Sequence, residues 1–251
     1  MIGINELAEI KELRKTNLYY EEKEYLQYIF LNAISKYVDK NIFKGGTCLR
    51  ICYGLERASE DLDFSTILKP SEIKEMVKSC LKNFDLLNIK HNVYAEKEFK
   101  GNLRFEIRFE GPLFSGKPSS TNTLKIDFNR QKSKYTLVKV IPKIFSDVPL
   151  FTLVTLDEKE IFAEKIRSLA NRKQSRDLYD LWMLLGKKVE IDKGLIADKL
   201  KEEKGYLHKI ILPSKEEYEL DLKNIVMTLP PYDQVRTDVE KFLDNLKKIV
   251  S

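Results

Sequence analysis

The chain has 251 residues, 43% of them hydrophobic, and 44 basic against 39 acidic side chains leave a net charge of +5. That is enough apolar material for one large or two small packed domains, and the charge balance permits a polyanionic partner without demanding one. No stretch reaches the ~18 apolar residues of a membrane span, and MIGINELAEIKELRKTN lacks the apolar run of a secretory signal, so the expected location is cytoplasmic, with no membrane partner.

Three cysteines, Cys48, Cys52 and Cys80, form no C-x-x-C pair and read as small interior residues. The only histidines, His91 and His208, lie far from other soft ligands, which argues against a histidine-based metal centre or a Ser-His-Asp hydrolase.

Along the chain, Leu26, Ile29, Phe30, Ala33 and Tyr37 recur at helical spacing and predict a helix over 21–40. Ile42 to Lys44 reads as a strand running into Gly45-Gly46, followed by a short helix over 47–53 that Gly54 ends. Asp61 to Thr66 alternates acid with apolar residue, the strand period. Pro70 and Ser71 open a helix whose stripe is Ile73, Met76, Val77, Cys80, Leu81 and Phe84.

In LRFEIRFE, Leu103, Phe105, Ile107 and Phe109 share one face, and in TLKIDFNR Leu124, Ile126 and Phe128 do the same. Beyond Leu156 the pattern is helical, ending in a helix with Val235, Val239, Phe242, Leu246 and Ile249 in register. The expected class is α+β: a small mixed sheet flanked by helices in residues 1–154, followed by a helical domain in 155–251.

The chemistry concentrates in FKGGTCLRICYGLERASEDLDFS. Paired glycines free the backbone for positive φ and close approach, and a helix starting there aims N–H groups, and the Thr47 hydroxyl with them, at a phosphate, although a GG pair alone also makes a plain turn. Asp61 and Asp63 project from the same strand face while Leu62 and Phe64 anchor the other. Like charges so placed call for a cation, and oxygen ligands favour Mg²⁺ or Mn²⁺, the metals that bind substrate phosphates. Asp127, isolated on the polar face of its strand, is the candidate third metal carboxylate, or else an exposed strand residue.

In the helical half, Thr155-Leu156-Asp157-Glu158 reads as a capping box. The helix it opens carries a stripe of Ile161, Phe162, Ile166, Leu169 and Ala170, with Lys165 inside it, where a lysine either snorkels or meets an anion. Ser175 reads as the N-cap of the next helix, Asp177 as serving its dipole, and Asp180 as a possible partner of Arg176.

Gly45-Gly46-Thr47, thirteen residues, then Asp61-Leu62-Asp63-Phe64 resembles the signature of the DNA polymerase β-like nucleotidyltransferases. Together with AEKIRSLANRKQSRDLYDLWML, it resembles the AbiEii/AbiGii toxin family of type IV toxin–antitoxin systems, from about Tyr25 to the C-terminus. The resemblance implies a metal-dependent nucleotidyltransferase. It implies a nucleotide-binding corner at Gly45, Gly46 and Thr47, metal and catalytic carboxylates at Asp61 and Asp63, and a nucleotide-contacting catalytic lysine with an acid at Lys165 and Asp180. Arg57 and Ser59 match its R-x-S-x-D-L-D pattern and are candidate phosphate contacts, although Ser59 could simply shape the turn.

The partners implied are a nucleoside triphosphate, a transfer RNA 3′ end as acceptor and an AbiEi-like antitoxin. Two rival readings use the same residues: transfer to a protein hydroxyl or an antibiotic, and a nucleotide-binding regulator without turnover.

Overall fold

The computed structural model describes residues 1–250, without the side chains of 249 and 250. Ile249, the last member of the C-terminal stripe, therefore lies outside the described side chains. The chain forms two compact units, one of Met1–Cys52 and Ala58–Leu156, the other of Tyr53–Arg57 and the residues from Asp157 onward.

The first unit is built from α1 (Ile4–Arg14), α2 (Leu18–Ile34), β1 (Asn41–Lys44), α3 (Gly45–Tyr53), β2 (Asp61–Thr66) and α4 (Pro70–Leu86). It continues with β3 (His91–Phe99), β4 (Asn102–Phe109), β5 (Asn122–Asn129), β6 (Thr136–Ile141) and β7 (Phe151–Leu156). The strands make one sheet in the order β3-β4-β5-β2-β1-β7-β6. β1–β7 and β2–β5 are parallel and the other neighbours antiparallel.

The apolar face of this sheet is the core. Leu62, Phe64, Phe105, Ile107, Leu124, Ile126 and Phe128 are buried, and Phe64 stacks on Phe128 at 5.2 Å between ring centres with Phe43 at 5.3 Å on its other side. α2 and α4 pack with this unit, and all six stripe residues of α4 are buried.

The second unit contains α5 (Glu158–Asn171), α6 (Ser175–Gly186), α7 (Lys193–Glu202), α8 (Lys215–Leu222) and α9 (Tyr232–Val250). Into it comes the segment 53–57, whose Arg57 makes an isolated antiparallel bridge with Val226.

Several local readings are corrected. The predicted capping box does not form, because Thr155 is the penultimate residue of β7 and Asp157 alone caps α5, its carboxylate accepting from Lys159 N–H at 2.9 Å. Ser175 is not an N-cap: Gln174 holds that position, and the Ser175 hydroxyl donates to Asp221 at 2.8 Å. The sheet is also wider than expected. No helix among the described residues is long and apolar enough to cross a membrane.

Candidate active site

The polar face of the sheet carries rows of charge set by strand register. Asp63 on β2 lies beside Asp127 on β5, Asp127 beside Arg104 on β4, and on the other flank Asp63 lies opposite Lys44 on β1. One row thus reads Arg104, Asp127, Asp63, Lys44. In the next row Asp61 lies beside Lys125, and Lys125 opposite Glu106. The structure therefore brings together the three carboxylates singled out in the sequence, all half-buried on the face opposite Leu62 and Phe64.

Arg104 was not anticipated as part of this site. Its guanidinium binds Asp127 through two bonds, Nε to Oδ1 at 2.7 Å and Nη2 to Oδ2 at 2.9 Å. The hydrogen bond to Asp127 raises the Arg104 pKa against the opposing effect of burial, with Asp61 and Asp63 adding to the rise. The alternation of basic and acidic residues in LRFEIRFE placed Arg104 on the polar face, but only the β4–β5 register reveals its partner.

No group of three or more His, Cys, Asp or Glu among the described residues is arranged to hold a metal ion. Asp61 and Asp63 remain an all-oxygen pair of the kind that binds Mg²⁺ together with substrate phosphates, since that ion commonly takes only one or two protein carboxylates. The donor chemistry fits the metal, with Asp127 as a neighbour bound to Arg104.

The glycine corner is shaped around Asp63. Gly45 has φ +78°, and a Cβ built there would lie 2.2 Å from Asp63 Oδ2. Glycine is needed both for the backbone conformation and for the space that the carboxylate fills. Gly45 and Gly46 are half-buried at the start of α3.

Thr47 departs from its predicted role: it is fully buried, and its hydroxyl donates to the Asp61 carbonyl and meets Ser59 Oγ at 2.9 Å. Thr47 and Ser59 thus tie α3 to the start of β2 and position Asp61, a linkage that uses the hydroxyl expected to face phosphate. A second basic residue missed in the sequence is Lys23 of α2, which donates to the Thr123 carbonyl at 2.7 Å and has Glu60 at 3.9 Å. Burial pulls its pKa down against the attraction of Glu60 and Asp61.

The second unit gathers the other motif around one buried cluster. Lys165 Nζ lies 2.8 Å from Asp177 Oδ1 and 2.7 Å from Asp180 Oδ2. Arg57 grips Asp180 from the other side, Nε to Oδ1 at 2.6 Å and Nη2 to Oδ2 at 2.8 Å, and Arg172 Nε donates to Asp177 Oδ2 at 2.8 Å.

Lys165 does meet anions, but they are the chain's own carboxylates. Arg57, expected on a phosphate, is buried with its fork on Asp180. Asp180 pairs with Arg57 and Lys165 in place of Arg176, and Asp177 does more than serve a helix dipole. Burial alone would raise both acids; for Asp177, Lys165 and Arg172 outweigh it and hold the pKa at about 2, and for Asp180, Arg57 and Lys165 keep it below the usual range.

The model of the nucleotidyl transferase AbiEii toxin family, type IV toxin–antitoxin system, matches residues 29–249. By fold the chain is similar to the nucleotidyltransferase toxin MenT4 from Mycobacterium tuberculosis H37Rv, with TM-score 0.73 and 18% identity over 96% of this chain and 89% of that one. It is also similar to JHP933 from Helicobacter pylori, with TM-score 0.62 and 22% identity over 94% of each chain. No curated protein matches the sequence.

Two outcomes follow from this geometry. Gly45→Ala should displace the Asp63 carboxylate and lower nucleotidyl transfer about 10²-fold or more, read in a labelled-nucleotide assay; unchanged activity would show that the corner tolerates a Cβ.

The second outcome concerns acid. Because the folded-state pKa of Asp177 is lowered to about 2, its contribution of about 2 kcal/mol is complete above about pH 4 and is lost as pH falls through about 2. The stability gap between wild type and Asp177→Asn, followed by the fluorescence of the single tryptophan, Trp182 of α6, should narrow over that window; a gap independent of pH would contradict it.

With the family model spanning most of the chain and the fold agreeing, this chain belongs to the AbiEii nucleotidyl transferase toxins of type IV toxin–antitoxin systems and is a nucleotidyltransferase.

Proposed function

We propose that the chain transfers a nucleoside monophosphate from a nucleoside triphosphate to the 3′ hydroxyl of a transfer RNA, as a toxin paired with an AbiEi-like antitoxin. The observation that carries the transfer chemistry is the register of Asp61, Asp63 and Asp127 on one face, beside the glycine that opens α3. The RNA acceptor rests on the toxin family and draws support from the excess of basic residues.

In this reading Asp61 and Asp63 hold Mg²⁺, or Mn²⁺ in its place, which when bound neutralises the triphosphate and favours ionisation of the acceptor hydroxyl. Gly45 and Gly46 let phosphate oxygens approach the backbone N–H groups that begin α3. Arg104 and Lys44, in register on either side, lower the cost of crowding carboxylates on one face.

Thr47 and Ser59 position the Asp61 backbone. Lys165 is a cation for the triphosphate, with two of its three N–H groups fixed by Asp177 and Asp180, and Arg57 is a positioning residue that orients Asp180. The acceptor oxygen bonds to the α-phosphorus, and the bond from that phosphorus to the bridging oxygen breaks. Pyrophosphate leaves.

The test is incubation with each labelled nucleoside triphosphate and total cellular RNA. Label should enter transfer RNA, should fail to enter RNA whose terminal diol has been destroyed by periodate, and should fall on the order of 10³-fold with Asp63→Asn. Label in protein or a small molecule, and none in RNA, would end the transfer RNA reading.

A further inference from the structure

Beyond the acids, the polar face of the sheet continues across β5, β4 and β3 with a different character. β3 contains a bulge between Val93 and Ala95, and the inserted residue is Tyr94. A bulge at a sheet edge re-aims a side chain, and here the Tyr94 ring lies beneath the Arg108 guanidinium, 3.6 Å from its carbon to the ring centre. Tyr94 is 57% exposed.

Further along the hairpin Phe99 is 68% exposed, opposite Asn102 in register and with Lys100 Nζ 5.2 Å from its ring centre. Arg108 and Arg104 alternate on β4 and so share the face of Asp127; Lys97 lies opposite Arg104, and Lys125 lies beside Asp61.

The acids of β3 are sorted to the other side. Glu96 and Glu98 lie opposite Phe105 and Leu103, on the face where Lys74 of α4 meets them at 2.7 and 3.9 Å. On the Tyr94 side of the hairpin Glu106 is the acid, 3.3 Å from Lys97. Two large aromatic rings are thus exposed on this part of the sheet, each with a cation against it.

Planar rings and guanidinium groups stack unpaired bases, and nearby cations take the phosphates. We infer that the β3–β4 hairpin face, with Tyr94 and Phe99 as stacking groups and Arg108, Lys97 and Lys125 as phosphate contacts, binds the single-stranded 3′ end of the acceptor RNA and leads it to the Asp61 and Asp63 row. This rests on the RNA acceptor proposed above and adds where that acceptor lies.

The test uses the full chain with a short single-stranded RNA bearing a free 3′ hydroxyl. Tyr94→Ala and Arg108→Ala should each raise the KM for RNA about tenfold, with the Kd from fluorescence anisotropy rising in step and the KM for the triphosphate unmoved. Tyr94→Phe should restore RNA binding because the ring is kept. Glu98→Ala, on the opposite face, should leave the RNA KM at its wild-type value.

Wild-type RNA affinity in the Tyr94 and Arg108 variants, with RNA still labelled, would overturn the platform and leave the RNA acceptor standing. A loss confined to kcat or to triphosphate binding would overturn it as well. Label that reaches protein and never RNA would remove both the acceptor and its platform. Melting temperatures separate a folding defect from lost binding; if an alanine variant melts early, Phe99→Ala gives the same readout at a second site.

Discussion

Two carboxylates at alternate positions of one strand must share a face, and like charges held together raise one another's energy unless cations surround them. The first unit is organised around that constraint. Leu62 and Phe64 lock β2 into the core, which prevents Asp61 and Asp63 from turning away, and parallel pairing with β5 adds Asp127 in the same row. Arg104 and Lys44 flank the row, and Gly45 gives the Asp63 carboxylate a space that any other residue would occupy.

The second unit solves a different electrostatic problem. Lys165 lies in a helix buried on almost every side, where an unpaired ammonium would be prohibitive, and Asp177 and Asp180 supply the counter-charge. Buried ion clusters of this kind add little net stability compared with apolar packing, whereas removing one member costs roughly 3–5 kcal/mol. Their value is geometric. Three residues of α5 and α6, with Arg57 brought in by the segment 53–57, fix one ammonium group in one place.

Much of this was legible in the sequence wherever one side of an element is apolar. β2, β4, β5 and α4 fall where alternation or helical stripes put them, because a single buried face leaves a clear period. β3 left no such mark: nearly all of His91–Phe99 is exposed at the sheet edge, so its pattern carries no core face. β6 is an edge strand of the same kind, with Leu137, Val138 and Val140 exposed.

The acids of the site were also visible, but their neighbours were not. Nothing local says that Asp63 lies beside Asp127, since α4 and the β3–β4 hairpin intervene, nor that Arg104 pairs with Asp127. Thr47 and Arg57 were assigned to phosphate by motif, yet their partners, the Asp61 carbonyl and the Asp180 carboxylate, are set by tertiary contacts that spacing does not encode.

The central claim is that Asp61 and Asp63 form a cation site completed by the triphosphate. Titration of Mn²⁺ into the wild-type chain with a non-hydrolysable nucleoside triphosphate, followed by electron paramagnetic resonance, tests it without reference to turnover. The account predicts saturable binding beyond that of the nucleotide alone, lost in Asp63→Asn while the fold persists. Mn²⁺ binding of equal strength in the Asp63→Asn chain, or none in the wild type, would contradict it.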